Sequence, residues 1–337
     1  MPVIMKRMRQ AAPQRESLLG RSGRAFTPRL LALLLFPTWL SAQTVAREAL
    51  SSFPADTQQM TYVNLAQLRT LAEYPEIRRR VLILQLRNFQ DFLRSLGTDP
   101  DKDIDEVVMG WRGEASSGFF GRAEGRFDPD RVHRYFTEQR LPFEQYNGYD
   151  LYTFGSGDSV ADVFFAFFNS TSAAFGHKRE LKELLDVRAG TRPALDTNAS
   201  FVAWEAELEG TSAQWGIATG KAAASQAAPW LTAGAQQALD PSVVFAPLRS
   251  VLYRVEWGST ITTSITMLCQ SPETASAFAT LLGLWRNQRP AANPLPPALA
   301  AVLQGLEIQT NGARVELTAS GPLEAIEQVM RGALNAK

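Results

Sequence analysis

The spacing of apolar residues divides most of the chain into short strands and helices. An apolar residue at every second position predicts a half-buried strand, whereas spacings of three and four predict an amphipathic helix. Strands are predicted at 59–64, 106–112, 117–126, 143–146, 149–154, 163–168, 171–176, 214–219, 251–257, 260–269, 306–310 and 313–319. Helices are predicted at 75–96, 128–139, 179–187, 200–208, 229–239, 271–285 and 322–334. Because many strands follow one another directly, we predict an α+β protein with antiparallel sheets and helices packed on them.

Turn and cap residues mark several of these boundaries. Asn147-Gly148 and Asn311-Gly312 predict tight hairpins, since both residues tolerate the positive φ that a two-residue hairpin turn needs. Asp128-Pro129 and Ser271-Pro272 each predict a helix start, with a capping side chain followed by proline. Gly97 predicts the end of the 75–96 helix.

The order of these elements recurs along the chain. Two strands, a helix opened by proline, an Asn-Gly hairpin and a later helix occur at 106–190 and again at 250–334. This recurrence predicts a divergent tandem duplication; the alternative is that hairpins and capped helices recur by chance in an α+β protein. The 337 residues suit one large or two ordinary domains. We predict an N-terminal α+β domain at 47–240 and a C-terminal α+β domain at 241–337.

The first 42 residues differ in composition from the rest. Seven basic residues and one acidic residue accompany an apolar run at 30–40. A bilayer-spanning helix needs about 20 apolar residues, so this run, interrupted by Pro37, is too short. A basic flank, a short apolar core and small residues after it predict a signal peptide at 1–42, cleaved after Ala42 or Ala46. Met1, Met5 and Met8 are alternative start residues, and an uncleaved, membrane-tethered form is left open.

The remaining chain is mildly acidic. Subtracting 7 basic and 1 acidic residues from 34 of each leaves 27 basic and 33 acidic, a net charge of −6. This charge repels phosphate backbones and argues against nucleic-acid binding. No later segment is apolar enough for a membrane span, so we expect a soluble periplasmic or secreted protein. Cys269, the one cysteine, cannot form an internal disulfide and lies in an apolar stretch that predicts a buried thiol.

Residues that could perform catalysis are few and scattered. The two histidines, His133 and His177, are 44 residues apart, so we predict neither a zinc site nor a cofactor. A Ser-His-Asp triad assembled in space is left open, although a structural role is the expectation for both histidines. Glu205 and Glu209 share a helix face; such a pair is either a solvated edge or the carboxylate pair of a glycoside hydrolase.

One run of acidic residues has the spacing of calcium ligands. Asp99, Asp101, Asp103 and Asp105 alternate as in the first half of an EF-hand loop. That loop also requires glycine at its sixth position and glutamate at its twelfth, where this chain has isoleucine and glycine. The competing interpretation is a turn between helix and strand in which the aspartates cap backbone amides.

Part of the same region is similar to a known class of proteins. Residues 54–57 (Pro-Ala-Asp-Thr), 96–99 (Leu-Gly-Thr-Asp) and 103–105 (Asp-Ile-Asp) resemble exported bacterial proteins that carry a domain of unknown function. Residues 106–110 stand where that class has a Pro-Trp-Leu-Gly-like segment. The resemblance, confined to 54–110, implies an exported α+β protein with strand-helix repeats and implies no catalytic residues.

These observations favour a non-catalytic binding or scaffolding protein of the cell envelope. Its partner would be an envelope protein or an extracellular polymer. The strand edges near 147–148 and 311–312 are the candidate partner sites, because free edges recruit further strands. The alternative is a secreted hydrolase that acts on glycan or peptide with carboxylate catalysis.

Overall fold

The strands form one antiparallel sheet. This computed structural model describes residues 44–81, 84–113, 118–160, 162–220, 222–223, 245–287 and 297–325. In this part of the chain the strands are β1 Gln59–Asn64, β2 Ile104–Trp111, β3 Phe119–Gly125, β4 Phe143–Tyr146, β5 Tyr149–Phe154, β6 Val163–Phe167, β7 Ser172–His177, β8 Gln214–Thr219, β9 Leu248–Glu256, β10 Ile261–Cys269, β11 Glu307–Asn311 and β12 Arg314–Gly321. Their order across the sheet is β11-β12-β10-β9-β8-β1-β2-β3-β7-β6-β5-β4. The predicted α+β class is confirmed.

Helices pack on this sheet. They are α1 Val45–Leu50, α2 Leu65–Leu68, α3 Tyr74–Val81, α4 Leu84–Ser95, α5 Pro100–Asp103, α6 Pro129–Glu138, α7 Lys178–Arg188, α8 Ala199–Leu208, α9 Pro272–Asn287 and α10 Pro297–Gln304. Within the helix predicted at 75–96 the structure describes α3 and α4, and residues 82–83 between them lie outside the described residues. The helix predicted at 229–239 and most of that at 322–334 also lie outside them. Among the described helices, none has the length and apolar character needed to cross a membrane.

The two predicted hairpins form with different turns. Asn147 and Gly148 have φ of 49° and 83°, the double positive φ of a type I′ turn, as predicted. The second turn is displaced by one residue. Asn311 belongs to β11 and pairs with Arg314, so that Gly312, at φ 57°, takes the first central position. A positive φ at that position alone is the type II′ pattern, which glycine favours.

Helix ends follow the predicted residues. Gly97 has φ of 89° and its N–H donates to the Arg94 carbonyl at 2.9 Å, while the Thr98 N–H reaches the Leu93 carbonyl at 3.0 Å. These two bonds are the Schellman arrangement that ends α4. Asp128 caps α6 by accepting a hydrogen bond from the Arg131 N–H at 2.9 Å.

Apolar cores lie on both faces of the sheet. Phe164 and Phe165 are consecutive in β6 but belong to different buried clusters, and a strand directs consecutive side chains to opposite faces. On one face α1, α7 and α8 cover the central strands. On the other, α6 and the C-terminal end of α4 cover β5 and β6, and α9 packs against β10 to β12.

The strand order has an internal symmetry about β1 and β8. Read outward, one side runs β1-β2-β3-β7-β6 and the other runs β8-β9-β10-β12-β11. On each side a helix opened by proline follows the third strand, and a later strand returns to pair with that third strand. The tandem duplication stays a prediction, and the predicted boundary at 240/241 lies outside the described residues. β8 and β9, on either side of it, are hydrogen-bonded neighbours.

Candidate functional site

The start of the described chain is built into the core. Helix α1 lies against β2, β3 and α8, and its Val45, Ala46, Ala49 and Leu50 are at most 2% exposed. The small alanine side chains allow the helix backbone to approach the sheet closely. The residue pattern predicts that 43–46 follow a signal peptide and predicts no helix there.

Three carboxylates surround the N-terminus of α1: Glu106 of β2, Glu205 of α8 and Glu209 just after α8; we call them the acidic cluster. The Thr44 hydroxyl donates to Glu209 Oε1 at 2.9 Å, and the Val45 N–H donates to Glu106 Oε2 at 3.2 Å. Arg47 Nη1 donates to Glu205 Oε2 at 2.9 Å. Negative charge at a helix N-terminus is favourable, so the cluster holds α1 in place.

Glu205 is not on the solvated edge that its spacing suggested. Its side chain is 0% exposed, because α1 packs over α8, and within the part of the chain that the structure describes its buried Oε1 has no hydrogen-bond partner. Burial and, to a lesser extent, the charge of Glu209 raise the pKa of Glu205 to about 7, while Arg47 opposes the rise. Burial and the charge of Glu106 likewise raise the pKa of Tyr62. The edge interpretation is therefore wrong for Glu205.

A buried cation also anchors α1, through Glu48. Arg122 of β3 is 2% exposed and binds the Glu48 carboxylate of α1. The same guanidinium donates to Ser172 Oγ at 3.0 Å and lies 5.3 Å over the Phe168 ring. The acidic cluster and Arg122 therefore both use ionisable groups to dock the first described helix, a role that their positions in the sequence do not indicate.

The histidines and aspartates singled out by sequence are placed apart. His133 Nδ1 lies 3.1 Å from the Tyr152 hydroxyl and 3.2 Å from Asp150 Oδ2, whereas His177 precedes α7 and contacts the Phe119 ring at 4.8 Å. The two histidines thus have separate partners on different elements.

Each of the four alternating aspartates has a backbone amide or a cation as partner. Asp99 accepts from the Asp101 N–H at 3.2 Å, and Asp103 accepts from the Asp99 N–H at 2.7 Å. Asp101 binds Arg94 at 2.7 Å, and Asp105 binds Arg69. Within the described residues, these four included, no group of three or more His, Cys, Asp or Glu is placed to hold a metal ion.

The two predicted hairpins supply the two edges of the sheet. β4, before the 147–148 turn, is one edge strand, and β11, before the 312–313 turn, is the other. The edges differ in character. Leu141 and Phe143, at the start of β4, are each 36% exposed, whereas β11 presents the polar side chains of Glu307 and Gln309.

The backbone of β4 faces outward at alternate residues. Residues flanking a two-residue hairpin turn form a hydrogen-bonded pair, and such pairs alternate with non-bonded ones. Tyr146 and Glu144 therefore bond to β5, while the N–H and C=O groups of Phe143 and Gln145 point away from it. The Glu144 carboxylate binds Lys178 of α7 at 2.8 Å. This contact fixes β4 to α7.

Comparisons with known proteins give structural likeness only. No protein-family model and no curated protein matches the chain. The chain is similar to crystal form I of TP0453, with a TM-score of 0.48 and 11% identity over 85% of this chain and 97% of that one. It is also similar to crystal form III of TP0453, with a TM-score of 0.48 and 12% identity over 84% and 97%. These values carry no residue's role over to this chain.

Proposed function

We propose that this protein is an exported, non-catalytic binding protein of the cell envelope, and that it recruits an extended segment of a partner protein to β4. The observation that carries the proposal is the β4 edge itself. Outward N–H and C=O groups of Phe143 and Gln145 lie beside the exposed side chain of Leu141. An added strand would gain main-chain hydrogen bonds and an apolar contact from the same edge.

The strand is also held rigidly before any partner arrives. Glu144 binds both Lys178, at 2.8 Å, and Lys182, at 2.7 Å, and the Phe143 ring packs 5.6 Å from the Tyr152 ring. A fixed edge loses little conformational entropy when a strand is added to it. This rigidity and the exposed apolar side chains favour the β4 edge over the β11 edge.

The acidic cluster supports a structural role rather than hydrolysis. Glu205 is buried against Arg47, and Glu209 accepts the Thr44 hydroxyl hydrogen bond, so both carboxylates are engaged in docking α1. The hydrolase and the extracellular-polymer partner stay alternative predictions.

Replacing Gln145 with proline tests the β4 proposal. Gln145→Pro deletes the outward N–H and removes no backbone hydrogen bond to β5, so we expect the fold to persist and partner capture to be lost. It also removes the exposed hydrogen bond from Gln145 Nε2 to Asp150 Oδ1 at 3.1 Å, which the alanine control removes equally. Capture is measured by cross-linking and purification from the envelope fraction of cells that make the protein. Gln145→Ala keeps the N–H and Thr310→Pro alters the other edge, so both should retain the partner. Capture of the same partner by Gln145→Pro, or of none by the unaltered protein, would sink the proposal.

Helix α1 supports the first of the two predicted cleavage positions. Cleavage after Ala46 would remove the capping Thr44 and the buried Val45 and Ala46, whereas cleavage after Ala42 leaves α1 whole. We therefore expect the exported protein to begin at Gln43. Intact mass of the protein from fractionated cells measures this directly. A species that begins at Arg47 would contradict the argument from α1, and an uncleaved cytosolic species would contradict export.

A further inference from the structure

A cleft of about 450 Å³ opens between α8 and the C-terminal strands, away from the β4 edge. Its lining residues are Ser200, Trp204, Arg249, Ser250, Leu268, Cys269, Asn311, Ala313 and Arg314. They come from α8, from adjacent strands β9 and β10, from β11 and β12 and from the turn between these last two. The volume is in the range of sites that bind small molecules.

A β-bulge shapes the floor of this cleft. Ser250 pairs with Leu268 and Leu248 pairs with Cys269, so Arg249 is an extra residue in β9. Consecutive residues of a regular strand face opposite sides of the sheet, but a bulge turns the side chain of the extra residue. Arg249 and Ser250 therefore both line the cleft, although they are neighbours in the chain.

The floor carries a polar group with no protein partner. Ser250 is 0% exposed and its Oγ has no hydrogen-bond partner in the described part of the chain. Buried hydroxyl groups are almost always hydrogen-bonded, so a buried, unbonded hydroxyl in a cleft wall is placed to bond to a ligand. Beside it, Cys269 is 3% exposed, which confirms the predicted buried thiol, and burial raises its pKa.

Among the described residues that line the cleft, one carries an uncompensated positive charge. Arg314 forms a two-pronged ion pair with Glu207, at 2.6 and 3.0 Å, which neutralises it. Arg249 is exposed and has no ion-pair partner among the described residues. A single free guanidinium matches one negative charge, and it pairs best with the planar oxygens of a carboxylate. A phosphate dianion would need a second free cation.

We propose that this cleft binds a small monocarboxylate whose carboxylate pairs with Arg249 and accepts a hydrogen bond from Ser250. The half-buried Trp204 indole and Leu268 provide an apolar wall, so the ligand carries a ring or another flat apolar face. The ring belongs either to a uronic acid or to an aromatic acid. The site is independent of the β4 edge, which lies at the opposite end of the sheet from β12.

Matched acids and neutral analogues test the proposal on the purified protein. Calorimetric titration compares the binding of D-galacturonate with that of D-galactose, and the binding of benzoate with that of benzyl alcohol. The acid that binds shows whether the ligand is a uronic acid or an aromatic acid. We expect one acid to bind about tenfold more tightly than its neutral analogue, with Arg249→Met removing that difference. Ser250→Ala should weaken the binding of the same acid severalfold. Arg254→Met changes an exposed arginine of the same strand that does not line the cleft, and should bind like the unaltered protein.

Three results would overturn it. These are no binding of either acid, equal binding of an acid and its neutral analogue, and unchanged acid binding by Arg249→Met. Glu207→Gln tests the assignment of a single free positive charge, because it releases Arg314 from its ion pair. Inorganic phosphate should bind that variant at least about tenfold more tightly than it binds the unaltered protein. Equal phosphate binding to both would contradict the single-charge assignment.

Discussion

Glu205→Gln should stabilise the protein at pH 8 and leave its stability nearly unchanged at pH 4. The folded-state pKa of Glu205 is about 7, raised by burial from the ordinary 4.5. Between these two values the folded state holds a proton that the unfolded chain has released, so stability falls as the pH rises through this window. The difference corresponds to about 3 kcal/mol lost above pH 7. A glutamine at this position stays neutral and avoids that loss, while its oxygen can still accept a hydrogen bond from Arg47.

Urea unfolding at pH 4, 5, 6, 7 and 8 measures this difference. The quantity of interest is the free energy of unfolding of Glu205→Gln minus that of the unaltered protein, since other titrating groups cancel. Glu209→Gln is the matched control. It removes the neighbouring charge that raises the folded-state pKa of Glu205, so the fall in stability should begin at the same pH and end at a lower pH. A difference that does not vary with pH would show that folding leaves the pKa of Glu205 at its ordinary value and would contradict the prediction.

Trp215→Ala should lower the free energy of unfolding by about 3–5 kcal/mol, the range for deleting a large buried aromatic side chain. Trp215 is 0% exposed in β8, and its ring stacks on Tyr62 of β1 with centroids 5.2 Å apart. β1 and β8 are the strands about which the sheet is symmetric, so the cavity would open where its two halves meet. Urea denaturation followed by circular dichroism gives the value.

Trp215→Phe separates packing from hydrogen bonding at the same position. Trp215 Nε1 is buried and has no hydrogen-bond partner among the described residues, so phenylalanine removes an unsatisfied donor and keeps much of the stack. We expect a loss well below that of the alanine variant. At the half-buried Trp257, Nε1 donates to Gln214 Oε1 at 3.0 Å, so Trp257→Phe gives the comparison in which a made bond is lost. If Trp215→Phe is as damaging as Trp215→Ala, the buried indole N–H has a partner after all.

Local chemistry explains which parts of this fold were predictable. The β4-β5 hairpin, the start of α6 and the end of α4 depend on Asn147-Gly148, Asp128-Pro129 and Gly97, whose backbone preferences act within a few residues. Helix α1 was missed because residues 43–46 also match the segment that follows a signal peptide. The turn of the second hairpin lies one residue later than predicted. Gly312 alone supplies the positive φ that a type II′ turn needs, so Asn311 stays in β11.

The candidate sites depend on contacts between distant parts of the chain. Glu205 and Arg47 are 158 residues apart, so nothing local to α8 indicates that the carboxylate is buried. Arg249 reaches the cleft only because β9 gains a residue opposite Leu268 and Cys269, and pairing register is set by both strands together. Neither the burial of Glu205 nor the position of Arg249 is indicated by the residues next to it in the sequence.

By itself, the amino-acid sequence determined the α+β class, the positions of most strands and the hairpins that became the two edge strands. It could do so because apolar periodicity and turn residues act locally on φ and ψ. Only the tertiary structure decided that these strands join in one sheet, that α1 buries Glu205, and that Ser250 and Arg249 share a cleft with Trp204. Burial, pKa and strand register arise from packing between segments far apart in the chain, and no single segment contains that information.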